Sequence, residues 1–81
     1  MEPQIQQRVA VDPRVMAGKP TIRGTRIPVE LIVRMLAQGI EEDVILDEYP
    51  NLASEDIRAA LAYAADVLAQ EYIFPLHIAA S

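Results

Sequence analysis

The sequence contains no cysteine, one histidine and no long hydrophobic run, and each absence narrows the range of functions. Without cysteine the chain forms no disulfide and offers no thiolate ligand for zinc. No apolar stretch approaches the roughly 20 residues of a membrane-spanning helix, and the first residues lack the basic start of a secretory signal peptide. We therefore expect a cytoplasmic protein with no membrane segment, metal or other cofactor.

Groups suited to catalysis are equally scarce. The histidine, His77, lies near the C-terminus and is more typical of an incidental polar residue than of a general base. Gly18-Lys19-Pro20-Thr21 superficially resembles the end of a phosphate loop, but Pro13 stands where that motif needs its first glycine. No His/carboxylate cluster has metal-ligand spacing. The sequence therefore predicts a protein that is not an enzyme.

Positive charge is in short supply overall but is concentrated near the start of the chain. The 81 residues carry 7 Lys/Arg and 12 Asp/Glu, a net charge of −5. Residues 1–26 hold five basic and two acidic side chains, a net +3, and the remainder holds two basic and ten acidic ones, a net −8. A length of 81 residues predicts a single domain, with a basic head (residues 1–27), a helical body (28–71) and an apolar tail (72–81).

The basic head is organised around residues 18–29. Gly24 allows a tight reversal, and the flanking Thr21-Ile22 and Thr25-Arg26-Ile27 favour extended structure, so a small hairpin or strand pair is expected there. An earlier strand at residues 8–11, with Val9 and Val11 on one face, is expected to join it. The charges of this segment predict either contacts to phosphate or a structural turn whose charges face water.

Three helices follow in the predicted body. The first covers about residues 28–38, with Pro28 in its first turn and an ending at Gly39 in which Ile40 folds back on Met35. Glu30 and Arg34, four positions apart on the side away from its apolar stripe, stand in the favourable order for an ion pair. The second covers about residues 41–48, with Val44, Ile45 and Tyr49 facing the core, and ends at Pro50. The third covers about residues 54–71, with Ser54 as its N-cap.

The third helix is apolar over more than one core-facing stripe. One stripe contains Ile57, Leu61, Ala64 and Leu68, and a second contains Ala60, Tyr63 and Val67. Either the other two helices cover both stripes, or one of them is a self-association surface on which Ala60 and Ala64 admit a partner helix. The tail is apolar too, and it is expected to pack on its own domain, on a second copy or on another protein. The predicted dimer or partner surface comprises Ala60, Tyr63, Ala64, Val67, Tyr72, Phe74 and Leu76.

The second and third helices, joined by residues 49–53, look like a helix-turn-helix unit. In the usual docking of that motif the last helix reads DNA bases with its first residues. Here that helix begins Ser54-Glu55-Asp56, and only Arg58 is basic. DNA contact is therefore expected mainly from the basic loop. The predicted DNA-binding residues are Lys19, Arg23, Thr25, Arg26 and Arg58.

Two blocks of the chain closely resemble the domain of unknown function 433 family. The first is the run from Asp12 to Val29, and the second comprises Tyr49-Pro50-Asn51-Leu52, Glu55-Asp56-Ile57 and Ala60-Leu61 with Tyr63-Ala64. The resemblance covers about residues 9–71. It implies a mostly α-helical, homeodomain-like or winged-helix-like domain, here with three helices and a small N-terminal β-hairpin or strand pair.

The resemblance also implies a function. Members are thought to be antitoxins of toxin–antitoxin pairs, similar to the VapB type, that bind their own operator DNA as dimers and hold a PIN-like ribonuclease with a C-terminal segment. Lys19, Arg23, Thr25 and Arg26 match polar positions of the family signature. The alternative hypothesis is a dimeric protein-interaction module without DNA binding, in which Arg23 and Arg26 pair with acids such as Asp47 or Glu48, within the domain or across the dimer.

Overall fold

The computed structural model describes residues 7–70, and in them three helices follow a small antiparallel sheet. The strands are β1 (Val9–Ala10) and β2 (Thr21–Ile22), separated by a 3-10 turn at Met16–Gly18. The helices are α1 (Val29–Ala37), α2 (Glu42–Glu48) and α3 (Ser54–Gln70). This confirms the predicted fold class. The predictions for the tail, including Tyr72, Phe74 and Leu76, lie outside the described residues.

The sheet pairs Val9 with Ile22 and Ala10 with Thr21. Beyond β2 the chain reverses as predicted: the Thr25 N–H donates to the Ile22 carbonyl at 3.0 Å, and Gly24 has a φ of 82°. A residue with a β-carbon is strained at that angle, so glycine suits the turn. The strand expected over residues 8–11, with Val9 and Val11 on one face, is shorter in the structure. Strand β1 stops at Ala10, and Val11 is 58% exposed.

A left-handed turn precedes β2 and was not predicted. Met16, Ala17 and Gly18 have φ angles of 51°, 57° and 85°. Two hydrogen bonds close the turn, from the Gly18 N–H to the Val15 carbonyl at 3.0 Å and from the Lys19 N–H to the Met16 carbonyl at 3.1 Å. Left-handed geometry costs a residue with a side chain about 1 kcal/mol. The turn matters for the position of Lys19, which it places beside the start of α1.

Helix α1 starts and stops close to the predicted positions. Pro28 precedes the first helical residue in extended geometry. At the other end the Ile40 N–H donates to the Met35 carbonyl at 3.1 Å and the Gly39 N–H to the Leu36 carbonyl at 3.0 Å, with Gly39 at a φ of 87°. These are the paired bonds of a Schellman ending, so the predicted fold-back of Ile40 on Met35 is confirmed.

The starts of α2 and α3 differ from expectation. Val44 is 51% exposed, whereas Ile45 beside it is buried, so the placement of Val44 in the core is wrong. Ser54 is the first residue of α3 rather than its cap, and its hydroxyl donates to the Glu42 carboxylate at 2.5 Å. Asp56 compensates by accepting the N–H of Ala53, the residue before the helix, at 2.8 Å.

One hydrophobic core lies between the sheet and the three helices, with α1 packed chiefly against α3. Ile32, Ile45 and Ile57 are its largest fully buried side chains. Its other members are Val9, Ile22, Ile27, Val29, Leu52, Ala59 and Ala60. On α3 Leu61 and Leu68 are exposed, so the alternative in which the other two helices cover both apolar stripes is wrong, while Ala59, which was not singled out, is buried. Within residues 7–70 no helix combines the length and the apolar character that crossing a membrane requires.

Candidate binding surfaces

The residues of the basic loop do not act as one patch. Arg23 turns back onto β1: its Nε donates to the Gln7 carbonyl at 2.5 Å and its Nη2 to the Val9 carbonyl at 3.2 Å. Its backbone N–H donates to the Arg8 carbonyl at 2.8 Å. Arg23 therefore joins the turn to the preceding strand while its outer edge stays exposed to water.

Thr25 shapes the turn itself. Its hydroxyl donates to the Ile22 carbonyl at 2.7 Å and accepts the Ile27 N–H at 2.9 Å. With both functions of the hydroxyl engaged, Thr25 supports the loop, which is one of the two roles the sequence predicted for it. The residue holds its neighbours in place for a ligand and has little capacity left to bind one directly.

Arg26 is the exposed cation of this turn. Over residues 7–70 no acidic side chain forms a salt bridge with it, and it lines a hollow of about 460 Å³ beside the turn. The alternative prediction paired Arg23 and Arg26 with Asp47 or Glu48, and no such ion pair occurs in the described part of the chain. Within residues 7–70, Arg26 is the basic-loop residue whose side chain is both exposed and uncommitted.

Lys19 belongs to a different surface. Its Nζ lies 3.5 Å from a Glu30 oxygen, and Glu30 also accepts a hydrogen bond from Arg34 at 3.1 Å, the i,i+4 pair that the sequence indicates. The hydrogen bond from Arg34 and the nearby charge of Lys19 hold the pKa of Glu30 below its usual value of 4.5. Two cations thus share one carboxylate, which leaves this cluster with a net positive charge.

Two further ion pairs were not predicted. Arg14 binds Asp12 through its Nε at 3.1 Å, and this hydrogen bond lowers the pKa of the Asp12 carboxyl. Arg8 donates to the buried carboxylate of Asp56 at 2.9 Å and so connects β1 to the first turn of α3. The sequence did not predict the pair of Arg8 and Asp56, because 48 positions separate the two residues and no local pattern indicates such a contact.

An apolar groove runs between α1 and the C-terminal half of α3 and has a volume of about 560 Å³. On α1, Val29, Val33 and Ala37 recur every four residues and so share the face toward it. The α3 wall consists of Tyr63, Ala64, Val67 and Leu68. Charged and proline residues complete its edge: Lys19, Pro20, Pro28, Glu30 and Arg34.

Three of the four predicted partner residues on α3 line this groove, and the fourth does not. Tyr63, Ala64 and Val67 form its wall, whereas Ala60 is 0% exposed and packs inside the domain. Ala60 brings α1 and α3 close together within one chain, so it is excluded from any partner surface. The physical reason is that a small side chain serves close helix packing equally well within a chain and between chains.

The predicted DNA contact on α3, Arg58, is exposed, and no side-chain hydrogen bond or salt bridge engages it within residues 7–70. Two acidic residues, Glu55 and Asp56, precede it in the first turn of α3. In the same part of the chain, no three histidine or carboxylate side chains gather as a metal site would require.

Comparison with known proteins assigns this fold. Residues 9–64 match the model of the family described as "Protein of unknown function (DUF433)". The chain belongs to this family. A crystal structure of a DUF433 member protein from Anabaena variabilis superimposes with a TM-score of 0.74 at 36% sequence identity, covering 83% of this chain and 66% of that one.

Two relatives extend the comparison. "Uncharacterized protein y4eO" of Sinorhizobium fredii is 38% identical over 56 residues, which is 69% of this chain and 25% of the relative. An "Uncharacterized protein" of Archaeoglobus fulgidus is 59% identical over 29 residues, 36% of this chain and 81% of the relative. The matched region thus spans a quarter of the Sinorhizobium protein and about two thirds of the Anabaena chain.

Proposed function

We propose that this chain is the antitoxin of a toxin–antitoxin pair and that it binds a PIN-like ribonuclease through the groove between α1 and α3. The observation that supports this proposal most directly is the groove itself. Val33 and Tyr63 are only partly buried against the core and Val67 is exposed, so all three present apolar surface to the groove. The proposed activity is binding rather than catalysis, and the proposed location is the cytoplasm.

The composition of the groove indicates what the partner presents. Its apolar walls suit inserted aliphatic or aromatic side chains, and about 560 Å³ lies within the usual range of about 300–1,000 Å³ for binding pockets. The Lys19–Glu30–Arg34 cluster leaves one positive charge in excess on the rim. A partner segment that combines large apolar residues with a flanking carboxylate therefore fits best, and Tyr63 is the expected energetic centre.

The test is a calorimetric titration of the full chain with a purified PIN-like ribonuclease. Val67→Arg places a charge in the groove and is expected to weaken binding at least 100-fold. Ala69→Arg is the matched control, because Ala69 is exposed on the same helix but does not line the groove, and it should change affinity less than threefold. No complex with the wild-type chain, or equal losses in both variants, would contradict the proposal. Circular dichroism checks that both variants fold.

Operator DNA is the second proposed ligand, and the exposed, uncommitted side chain of Arg26 favours it. Arg58 is a further candidate, whereas Lys19 is assigned to the groove because it pairs with Glu30. Fluorescence anisotropy with upstream DNA and a scrambled duplex at two salt concentrations measures this binding. Arg26→Gln is expected to lower the salt slope by about one. Equal affinity for both duplexes, or none at low salt, would favour the interaction module without DNA binding.

Dimerisation is the third part of the proposal. Leu61 and Leu68 lie seven positions apart on α3 and are both exposed, so they offer a continuous apolar strip for a second copy. Sedimentation velocity over a range of concentrations measures this association. Leu61→Arg is expected to yield a monomer, and an unchanged sedimentation coefficient in this variant would remove the strip from the proposed dimer interface.

A further inference from the structure

The hollow beside the turn at Gly24 combines donors that no described group uses. It has a volume of about 460 Å³ and lies on the sheet side of the molecule, apart from the residues that form the groove. Arg23 and Arg26 contribute its positive charge, and Thr21 and Thr25 its hydroxyls. The remaining lining residues are Ala10, Asp12, Val15 and Gly24.

Thr21 is the least expected member of this lining. It is 3% exposed, yet within residues 7–70 its hydroxyl forms no hydrogen bond with another group, in contrast to the Thr25 hydroxyl, which forms two. Buried hydroxyl groups are normally paired, and a group left without a partner is costly. A ligand oxygen in the hollow would provide that partner.

Backbone donors add to the site. The Arg23 and Thr25 N–H groups are bonded to the Arg8 and Ile22 carbonyls, but over the same described residues the Gly24 and Arg26 N–H groups find no acceptor within the chain. Arg23 uses its Nε and Nη2 on carbonyls and retains further N–H groups toward solvent. These N–H groups therefore add to the donors available at the hollow.

The charge balance also favours an anion. Asp12 is the carboxylate in the lining, and the Arg14 guanidinium neutralises it through paired hydrogen bonds at 3.1 Å. Arg23 and Arg26 then remain as uncompensated cations next to free N–H groups. An oxyanion with several acceptor atoms matches this arrangement, and arginine binds phosphate oxygens with two parallel hydrogen bonds.

We propose that this hollow is a phosphate-binding site, with Arg26 as its principal ligand and the Thr21 hydroxyl as its buried donor. The ligand is a phosphate group, carried either by a nucleic-acid backbone or by a free phosphate or phosphate ester. The inference deepens the operator-binding part of the proposed function, and only the nucleic-acid source rests on that part. The partner-protein groove is independent of it.

The experiment is an amide NMR titration of the full chain with inorganic phosphate, with potassium chloride at matched ionic strength as the reference. Shifts concentrated at Gly24 and Arg26 are expected with phosphate and absent with chloride. Arg26→Gln should weaken binding at least tenfold and Thr21→Val severalfold, while Asp43→Asn, which changes the charge of an exposed side chain outside the hollow, should leave it unchanged. Because Arg26 is exposed, its variant is expected to fold even if Thr21→Val does not. Identical shifts with chloride, or full binding by Arg26→Gln, would overturn the site.

A second titration with a short DNA duplex distinguishes the source of the phosphate. Shifts at the same amides, lost in Arg26→Gln, would support the site and assign it to the nucleic-acid backbone. Phosphate binding without duplex binding would support the site for a free phosphate group and contradict operator binding. Duplex binding that shifts α3 around Arg58 and leaves the turn unaffected would overturn the site while leaving operator binding in place.

Discussion

Two arginines in the same turn illustrate how much the roles of single residues depend on their surroundings. Arg23 and Arg26 are three positions apart in a run of similar composition, yet Arg23 bonds two carbonyls of the preceding segment and Arg26 stays uncommitted. The difference arises because β1 passes beside Arg23. Side-chain charge alone therefore does not identify a ligand-binding residue, since backbone carbonyls compete for the same donors.

The pKa of Glu30 depends on two neighbouring cations and can be tested residue by residue. Its pKa lies below 4.5 because Arg34 and Lys19 stabilise the charged form, so the stability it contributes is present above its ordinary pKa and is lost as the pH falls through its lowered pKa. Arg34→Gln is expected to raise the pKa of Glu30 toward 4.5, since it removes the largest single cause, and Lys19→Gln to raise it as well. Carbon-detected NMR titration of the side-chain carboxyl measures both changes.

The matched control for this titration is Arg58→Gln, which removes an exposed arginine that forms no ion pair with Glu30. It should leave the pKa of Glu30 where it is in the wild type. An equal rise in all three variants would show that overall charge, rather than the contacts on the groove rim, sets the titration. No rise in any of them would contradict the Lys19–Glu30–Arg34 cluster.

At the scale of elements, Asp56 connects α3 to the residue before β1 through one hydrogen bond and caps the start of α3 with another. Its carboxylate accepts from Arg8 at 2.9 Å and from the Ala53 N–H at 2.8 Å. Asp56→Ala leaves the Ala53 N–H and the Arg8 guanidinium without this partner and is expected to lower the free energy of unfolding by about 2–3 kcal/mol. Arg8→Met should cost about 1 kcal/mol, because the Arg8 side chain is partly exposed. Urea denaturation measures both changes.

The double variant distinguishes the interaction between Arg8 and Asp56 from the other contacts that each residue makes. A coupling of about 1 kcal/mol between Arg8→Met and Asp56→Ala is expected if the two side chains act together. Asp43→Ala is the matched control, because Asp43 is an exposed first-turn acid of α2, and its effect should stay within about 0.5 kcal/mol. Additive effects of the two changes would indicate that Asp56 acts through the helix start alone.

At the scale of the whole molecule, one small core supports both surfaces. A chain of this length is expected to have a folding stability of about 4–12 kcal/mol. Ile32 is fully buried between α1 and its neighbours, so Ile32→Ala should remove about 3 kcal/mol, a large share of the total. Leu68→Ala is the matched control, since Leu68 is 64% exposed, and it should cost less than about 0.5 kcal/mol. Thermal unfolding followed by circular dichroism measures the stability of both variants. Similar losses of stability would contradict the assignment of Ile32 to the core and of Leu68 to the exposed surface.

The sequence by itself determined the local elements of this protein. Gly24 and Gly39 indicated the turn and the helix ending because a positive φ favours glycine wherever it occurs, and the i,i+4 spacing of Glu30 and Arg34 predicted their pair. The long resemblance from Asp12 to Val29 identified the family, which the family match over residues 9–64 confirmed. These features depend on residues close together in the chain.

The tertiary structure decided everything that depends on residues far apart. It placed Ala60 in the core and Leu68 in solvent, although both lie on apolar stripes of one helix, because α1 covers only one side of α3. It paired Arg8 with Asp56, engaged Arg23 with β1, and moved Lys19 to the groove beside Glu30. Periodicity shows which residues can face a neighbour, but only the packed chain decides where that neighbour lies.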